Sequence, residues 1–310
     1  MRDAFVSVLT EIARADKNVM LLTGDLGFGV LTKFAQEFPD QYLNVGVAEQ
    51  NMTGIAAGLA LEGKTVFTYS IANFNTLRCL EQIRNDVCYH DLNVKVVSVG
   101  GGFCYGALGI SHHATEDIAV LSSVPNMKVV APGDKVETRL ATTAVYQTPG
   151  PFYLRLGRGG ESELYSKPPD FVIGKAIAVF TEGDVAILST GGILENVLES
   201  RRMLANDGIV AGVYSFHTMR PFDTDQVRQL INHVKFIVTV EEHLAKGGLG
   251  SRVAEVIAEY RGDRPVLVRI GIGDGFMSEV GDQNYLRERV GLAPYQIAER
   301  IKNAIGFSST

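Results

Sequence analysis

Glu49 stands out by its neighbours. It follows Asn44-Val45-Gly46-Val47-Ala48 and precedes Gln50-Asn51-Met52, so it lies between a short apolar strand ending in a glycine turn and a helix built largely of small residues. Met52, Ile55, Ala56, Leu59 and Ala60 recur at helical spacing. Gly54, Ala57, Gly58 and Leu61 form a second smooth stripe, so the pattern predicts two buried faces. A carboxylate at the mouth of such a helix is costly to desolvate. A Glu held that way can keep and pass a proton near neutral pH. The plainer account is an acidic residue in a helix first turn, complementing the helix dipole.

Other groupings carry weaker chemistry. GGGFCYGALG (100–109) is a long Gly-rich loop, but Gly102 to Gly106 is one residue too long for the G-x-G-x-x-G fingerprint. No acidic residue follows at a strand end where a dinucleotide ribose would need one. A loop that lets a ligand approach its backbone closely is the remaining reading. His112 and His113 are adjacent, yet no third ligand lies nearby at metal-binding spacing. Cys79, Cys88 and Cys104 are odd in number and also lack such spacing, which fits reduced, packed thiols. No metal site is expected in this chain.

These residues must be carried by regular elements. VMLLTG (19–24), YLNVG (42–46), TVFTYS (65–70), VKVVSVG (94–100), MKVVAP (127–132) and PFYLRL (151–156) read as strands, with helices over 3–15, 50–61, 76–89, 115–122 and 135–146 between them. GRGGESELYSKPPD (157–170) breaks the rhythm as a linker. Strands then resume at 175–180, 185–192, 210–217, 236–243 and 265–271, and 285–303 reads as one or two amphipathic helices. Alternating strand and helix predicts the α/β class, as two three-layer α/β/α domains with mainly parallel sheets, over residues 1–165 and 166–310.

With 310 residues, the chain is long enough for two cores. A net charge of −6 without a basic patch argues against a nucleic-acid or anionic-membrane partner. The first helix starts almost at Met1 and carries Arg2, Asp3 and Glu11, which argues against a signal peptide or a membrane span. The expected location is cytoplasmic.

Across nearly its whole length the chain resembles the C-terminal half of a transketolase. The runs MRDAF, GDLG, NVGVAEQNMTGIAAGLALEGKTVF, RCLEQIRND, SHHATEDIAVL, VVAPGD, YLRLGRG, FHTMRPFD and EEHLAKGGLGSRVAEV carry that resemblance, in order. It implies a pyrimidine-binding domain of a thiamine diphosphate (ThDP) enzyme, followed by a transketolase C-terminal domain. In such a family Glu49 would contact the aminopyrimidine, Phe74 would stack on it, and Asp25 would lie near the cofactor. His112 would contact substrate oxygens, and Arg155, Arg158 and Arg2 would sit near a sugar phosphate. Leu108 stands where sugar transketolases place an acid that reads a substrate hydroxyl, so an unusual donor or acceptor is implied.

The diphosphate half is missing. Gly273-Asp274-Gly275 with Asn303 looks like the family's metal motif, but its Asn falls in a C-terminal amphipathic helix rather than at the end of a buried strand. The resemblance therefore implies an N-terminal partner subunit that holds the diphosphate and Mg2+ or Ca2+, in an α2β2 heterotetramer acting on a sugar or sugar phosphate. Two alternatives stay open. One is a beta-type subunit for 2-oxoacid decarboxylation or deoxyxylulose-phosphate-synthase-like condensation; the other is a non-catalytic scaffold.

Overall fold

The computed structural model describes residues 1–306. Among these, twelve strands are β1 (Val19–Thr23), β2 (Tyr42–Asn44), β3 (Thr65–Ile71), β4 (Val94–Val99), β5 (Lys128–Val130), β6 (Phe152–Leu156), β7 (Ile177–Phe180), β8 (Val185–Thr190), β9 (Ala211–Ser215), β10 (Thr218–Arg220), β11 (Phe236–Leu244) and β12 (Val266–Ile272). They form two sheets, ordered β10-β5-β6-β4-β3-β1-β2 and β12-β11-β8-β9-β7. All pairings are parallel except β10 with β5 and β7 with β9. The chain is thus α/β with mainly parallel sheets and helices on both faces.

The first sheet is apolar on both sides, as parallel strands require. Leu21, Phe67, Val97 and Leu154 meet Phe5, Leu9 and Val145 from the helices Arg2–Ala15 and Lys135–Gln147. Leu22, Val66 and Val96 face the other way, onto Met52 and Ala56 of the helix Glu49–Leu61 and onto Cys79 and Ile83. That second layer is continuous with the other half of the chain, where Leu188, Phe216, Met219, Val227 and Leu249 join the same core. A separate core, built on Ile187, Val213 and Val240, packs under the helices Leu194–Asn206 and Pro294–Ala304.

Four local expectations change. The strand run at 210–217 ends at Ser215, and the next residues leave for the first sheet as β10, where Ala131 N donates to His217 O at 2.7 Å. The helix expected over 76–89 is a series of short turns that ends in a π-helical turn at Ile83–Cys88. The helix after Glu49 buries one face only; Gly54, Gly58 and Leu61 are exposed. The segment 157–170 is irregular yet packed: Leu164 N donates to Asp134 Oδ2 at 2.8 Å and Tyr165 Oη to Glu137 Oε1 at 2.5 Å. No helix among the described residues is long and apolar enough to cross a membrane.

Candidate functional site

Glu49 is the first residue of its helix and lies at the carboxyl ends of β1 and β3, the edge at which open α/β sheets bind ligands. Its carboxylate is 2% exposed. Ser70 Oγ donates to Oε1 at 3.3 Å and Arg78 Nη1 to Oε2 at 2.7 Å. Gly24, just past β1, leaves room for it: a Cβ there would stand 3.2 Å from Glu49 Cγ. The adjoining Asp25 is exposed, at φ 56°, and its Oδ1 accepts from Asn44 Nδ2 at 3.0 Å.

From Glu49 the side chains form a continuous line. The Arg78 guanidinium lies 4.3 Å from the centre of the half-buried Phe74 ring. Phe74 meets His112 edge-on at 5.1 Å, and Tyr105 meets His112 at 6.1 Å. Arg158 lies 5.6 Å from the Tyr105 ring centre. Arg2, paired with Asp3 at 3.0 Å, approaches the same turn at Gly159. Burial, and after it the neighbouring His113, holds the His112 pKa below its ordinary value, so its imidazole is neutral at pH 7. Beside this line runs a cavity of about 710 Å3 bounded by Tyr105, Leu108 and Arg158 from the first half and by Asp282, Gln283 and Arg287 from the second.

Arg155 lies outside that line. It is 4% exposed, and its Nε donates to Asp117 Oδ2 at 2.7 Å. Nη2 donates to the carbonyls of Ala114 (2.8 Å) and Glu242 (3.1 Å), so these donors serve the junction between the two halves rather than an open subsite. Asp274 is exposed and pairs with Lys246, and Asn303 is exposed on the last helix. Among the described residues, no three or more His, Cys, Asp or Glu side chains are grouped to hold a metal ion.

Sequence reasoning misses Arg78. It lies on the turn Leu77–Cys79, after the short helix Ala72–Asn75 that carries Phe74 has ended, so no helical spacing in the sequence marks it. The Gly-rich loop serves a different neighbour from the ligand expected of it. A Cβ at Gly102 (φ +65°) would stand 2.5 Å from the Glu242 carboxyl carbon, and one at Gly106 would stand 2.6 Å from Gly281 O. Those two glycines admit the second half of the chain, not a ligand.

The donor set fits one part of ThDP. A water-shielded carboxylate with acceptor capacity beside a half-exposed aromatic face suits a flat amino-substituted heterocycle. Glu49 and Phe74 would hold it.

The transketolase pyrimidine-binding domain matches residues 1–160, and the transketolase C-terminal domain matches residues 174–297. The chain is 40% identical over 276 residues to an apulose-4-phosphate transketolase subunit of Phocaeicola vulgatus, covering 88% of this chain and 87% of the relative. It is 37% identical over 299 residues to the 6-deoxy-6-sulfo-D-fructose transketolase subunit SqwH of Clostridium sp., covering 96% and 92%. A solved structure described as "Split gene transketolase, inactive beta4 tetramer" superposes with a TM-score of 0.88 at 34% identity, covering 99% of this chain and 98% of that one. With both halves matched in order, the chain belongs to the transketolase family and corresponds to its split C-terminal subunit, a pyrimidine-binding domain followed by a transketolase C-terminal domain.

Proposed function

We propose that this chain is one subunit of a ThDP-dependent transketolase that moves a two-carbon ketol unit between sugar or sugar-phosphate substrates, and that it acts only with an N-terminal subunit. The observation that carries this is Glu49: a shielded carboxylate at the ligand-binding edge of a parallel sheet, beside Phe74. When bound, the cofactor supplies a nucleophilic thiazolium carbon. Glu49 Oε1, bonded to Ser70 at 3.3 Å, retains acceptor capacity to hold a proton on a ring nitrogen of the pyrimidine. Phe74 orients that ring by its face, and Asp25 borders the same edge. Neutral His112 hydrogen-bonds substrate oxygens. Arg158 and Arg2 take an anionic end, in keeping with the phosphate and sulfo groups named for the two relatives.

The partner subunit would hold the diphosphate and Mg2+ or Ca2+, in an α2β2 assembly. The description of the beta tetramer as inactive supports the need for that partner. The test is ThDP binding with Mg2+, by calorimetry and fluorescence quenching, for this chain alone and mixed with the N-terminal subunit. Binding by the mixture only, with ketol transfer from a ketose, is expected. Tight binding by this chain alone would overturn the split site and bring Asp274 back as a metal ligand. Leu108 favours one second reading, a decarboxylating condensation, which predicts carbon dioxide release from a 2-oxoacid where ketol transfer releases none.

A further inference from the structure

We propose that Glu242, in the second half of the chain, is a positioning residue for the loop that carries His112; this rests on the transketolase reading above. Glu242 lies near the end of β11, and its side chain is 3% exposed. Its carboxylate gathers donors from both halves. Phe103 N donates to Oε1 at 3.0 Å, Gln283 Nε2 lies 3.1 and 3.0 Å from the two oxygens, and Arg287 Nη2 donates to Oε2 at 2.7 Å. Arg287 is itself tied to Gly192 O at 3.0 Å and Asn196 Oδ1 at 3.2 Å. The brace is therefore anchored in the second domain and ends on one backbone N–H of the first.

That N–H belongs to a closed unit. Gly102 and Ala114 exchange both backbone hydrogen bonds, at 2.8 and 2.9 Å. The His113 ring lies 3.2 Å by Nε2 from Gly106 O and meets Phe103 edge-on at 5.2 Å. Asn73 Nδ2, next to Phe74, donates to His113 O at 2.7 Å. Phe103 is thus linked to His113, the neighbour of His112, through the Gly102–Ala114 pair and the ring contact. Gly102 has no side chain because the Glu242 carboxylate fills that space. A charged acceptor is used because charge-assisted bonds to Arg287 and the amide are stronger than neutral ones. Removing it leaves a buried guanidinium and an amide without that acceptor.

The test uses the full chain, alone and in the mixture. In Glu242→Ala, hydrogen exchange across residues 102–113 should accelerate, while the sheet strands keep wild-type exchange. Carbethoxylation of His112 by diethyl pyrocarbonate should rise several-fold against the exposed His90 and His233, which serve as internal controls. In the mixture kcat should fall, on the order of 100-fold, as misplaced catalytic groups do. ThDP affinity should fall far less than kcat, because Glu49 and its partners Ser70 and Arg78 lie outside the brace. Glu242→Gln, which keeps an acceptor for Phe103 N but not the charge that faces Arg287, should restore part of the loss. Wild-type exchange in the loop would overturn the proposal, and so would a loosened loop with unchanged kcat and KM. If Glu242→Ala does not fold, Gln283→Ala, which removes one of the donors to Glu242, is read in the same way. Absence of ketol transfer by the wild-type mixture would defeat the transketolase reading alone, because the loop measurements still decide whether Glu242 positions His112.

Discussion

Glu49 keeps an acceptor oxygen at an open sheet edge while its other oxygen is held by Arg78. Arg78 is 43% exposed, so it can leave the pair without crossing the core. If Glu49 holds the proton that the chemistry needs, Glu49→Gln in the mixture should lower kcat by about 10²–10⁴, the range for a positioned acid or base. A scaffold role would leave turnover intact, and steady-state assays of the mixture decide between them. Leu108 offers a second test. It is 57% exposed at the cavity rim, so Leu108→Asp should change stability by less than about 0.5 kcal/mol. It should raise kcat/KM for polyhydroxylated acceptors relative to less hydroxylated ones, because a carboxylate there can pair with a hydroxyl. Equal effects on both acceptor classes would remove Leu108 from specificity.

The helix Lys135–Gln147 shows how an element is tied into the whole. Asp134 caps it, accepting from Glu137 N at 2.7 Å, while its other oxygen holds the segment after β6 through Leu164 N. Glu137 accepts from Gly133 N at 2.6 Å and from Tyr165 Oη. Burial pushes the Glu137 carboxyl up to about 7, against the lowering effect of those hydrogen bonds. The folded chain then holds this proton more tightly than the unfolded chain. The resulting stability is full below about pH 4.5 and is lost as pH rises through about 7, worth about 3 kcal/mol at most. Glu241 is buried and shifted in the same direction while it receives the N–H groups of Leu249 and Gly250. The expected outcome for Glu137→Gln is therefore a reduced, not abolished, fall in stability between pH 4.5 and 7. Denaturant midpoints across that range measure it, and an unchanged slope would assign the fall elsewhere.

At the scale of the whole molecule, the two halves are not independent units. β10 completes the first sheet from beyond the irregular segment, and Met219 on it is fully buried in the core that both halves share. Met219→Ala should cost about 2–5 kcal/mol. Both sheets should lose stability together in one denaturation transition followed by circular dichroism and by a probe in each half. Separate transitions would show that the shared core does not couple them.

How much of this could be read in advance differs by scale, for one physical reason. Local patterns were legible: buried strands as apolar runs, the helix that starts at Lys135, and Glu49 at a strand-to-helix turn. Each depends on neighbours within a few residues, where spacing sets geometry. The α/β class followed, because alternating elements of those lengths pack in few ways. The partners of Arg155, the use of Gly102 and Gly106, the departure of β10 and the convergence on Glu242 were not legible. They join residues as distant as Phe103 and Glu242, and no periodicity records such a separation. Arg155 reads as a sugar-phosphate ligand until Asp117 is brought beside it, and a Gly-rich loop reads as a ligand cradle until the second domain fills it. The elements, and the side chains they carry, were set by local chemistry. Which of those side chains face a ligand and which face the rest of the protein was decided by packing two sheets against one common core.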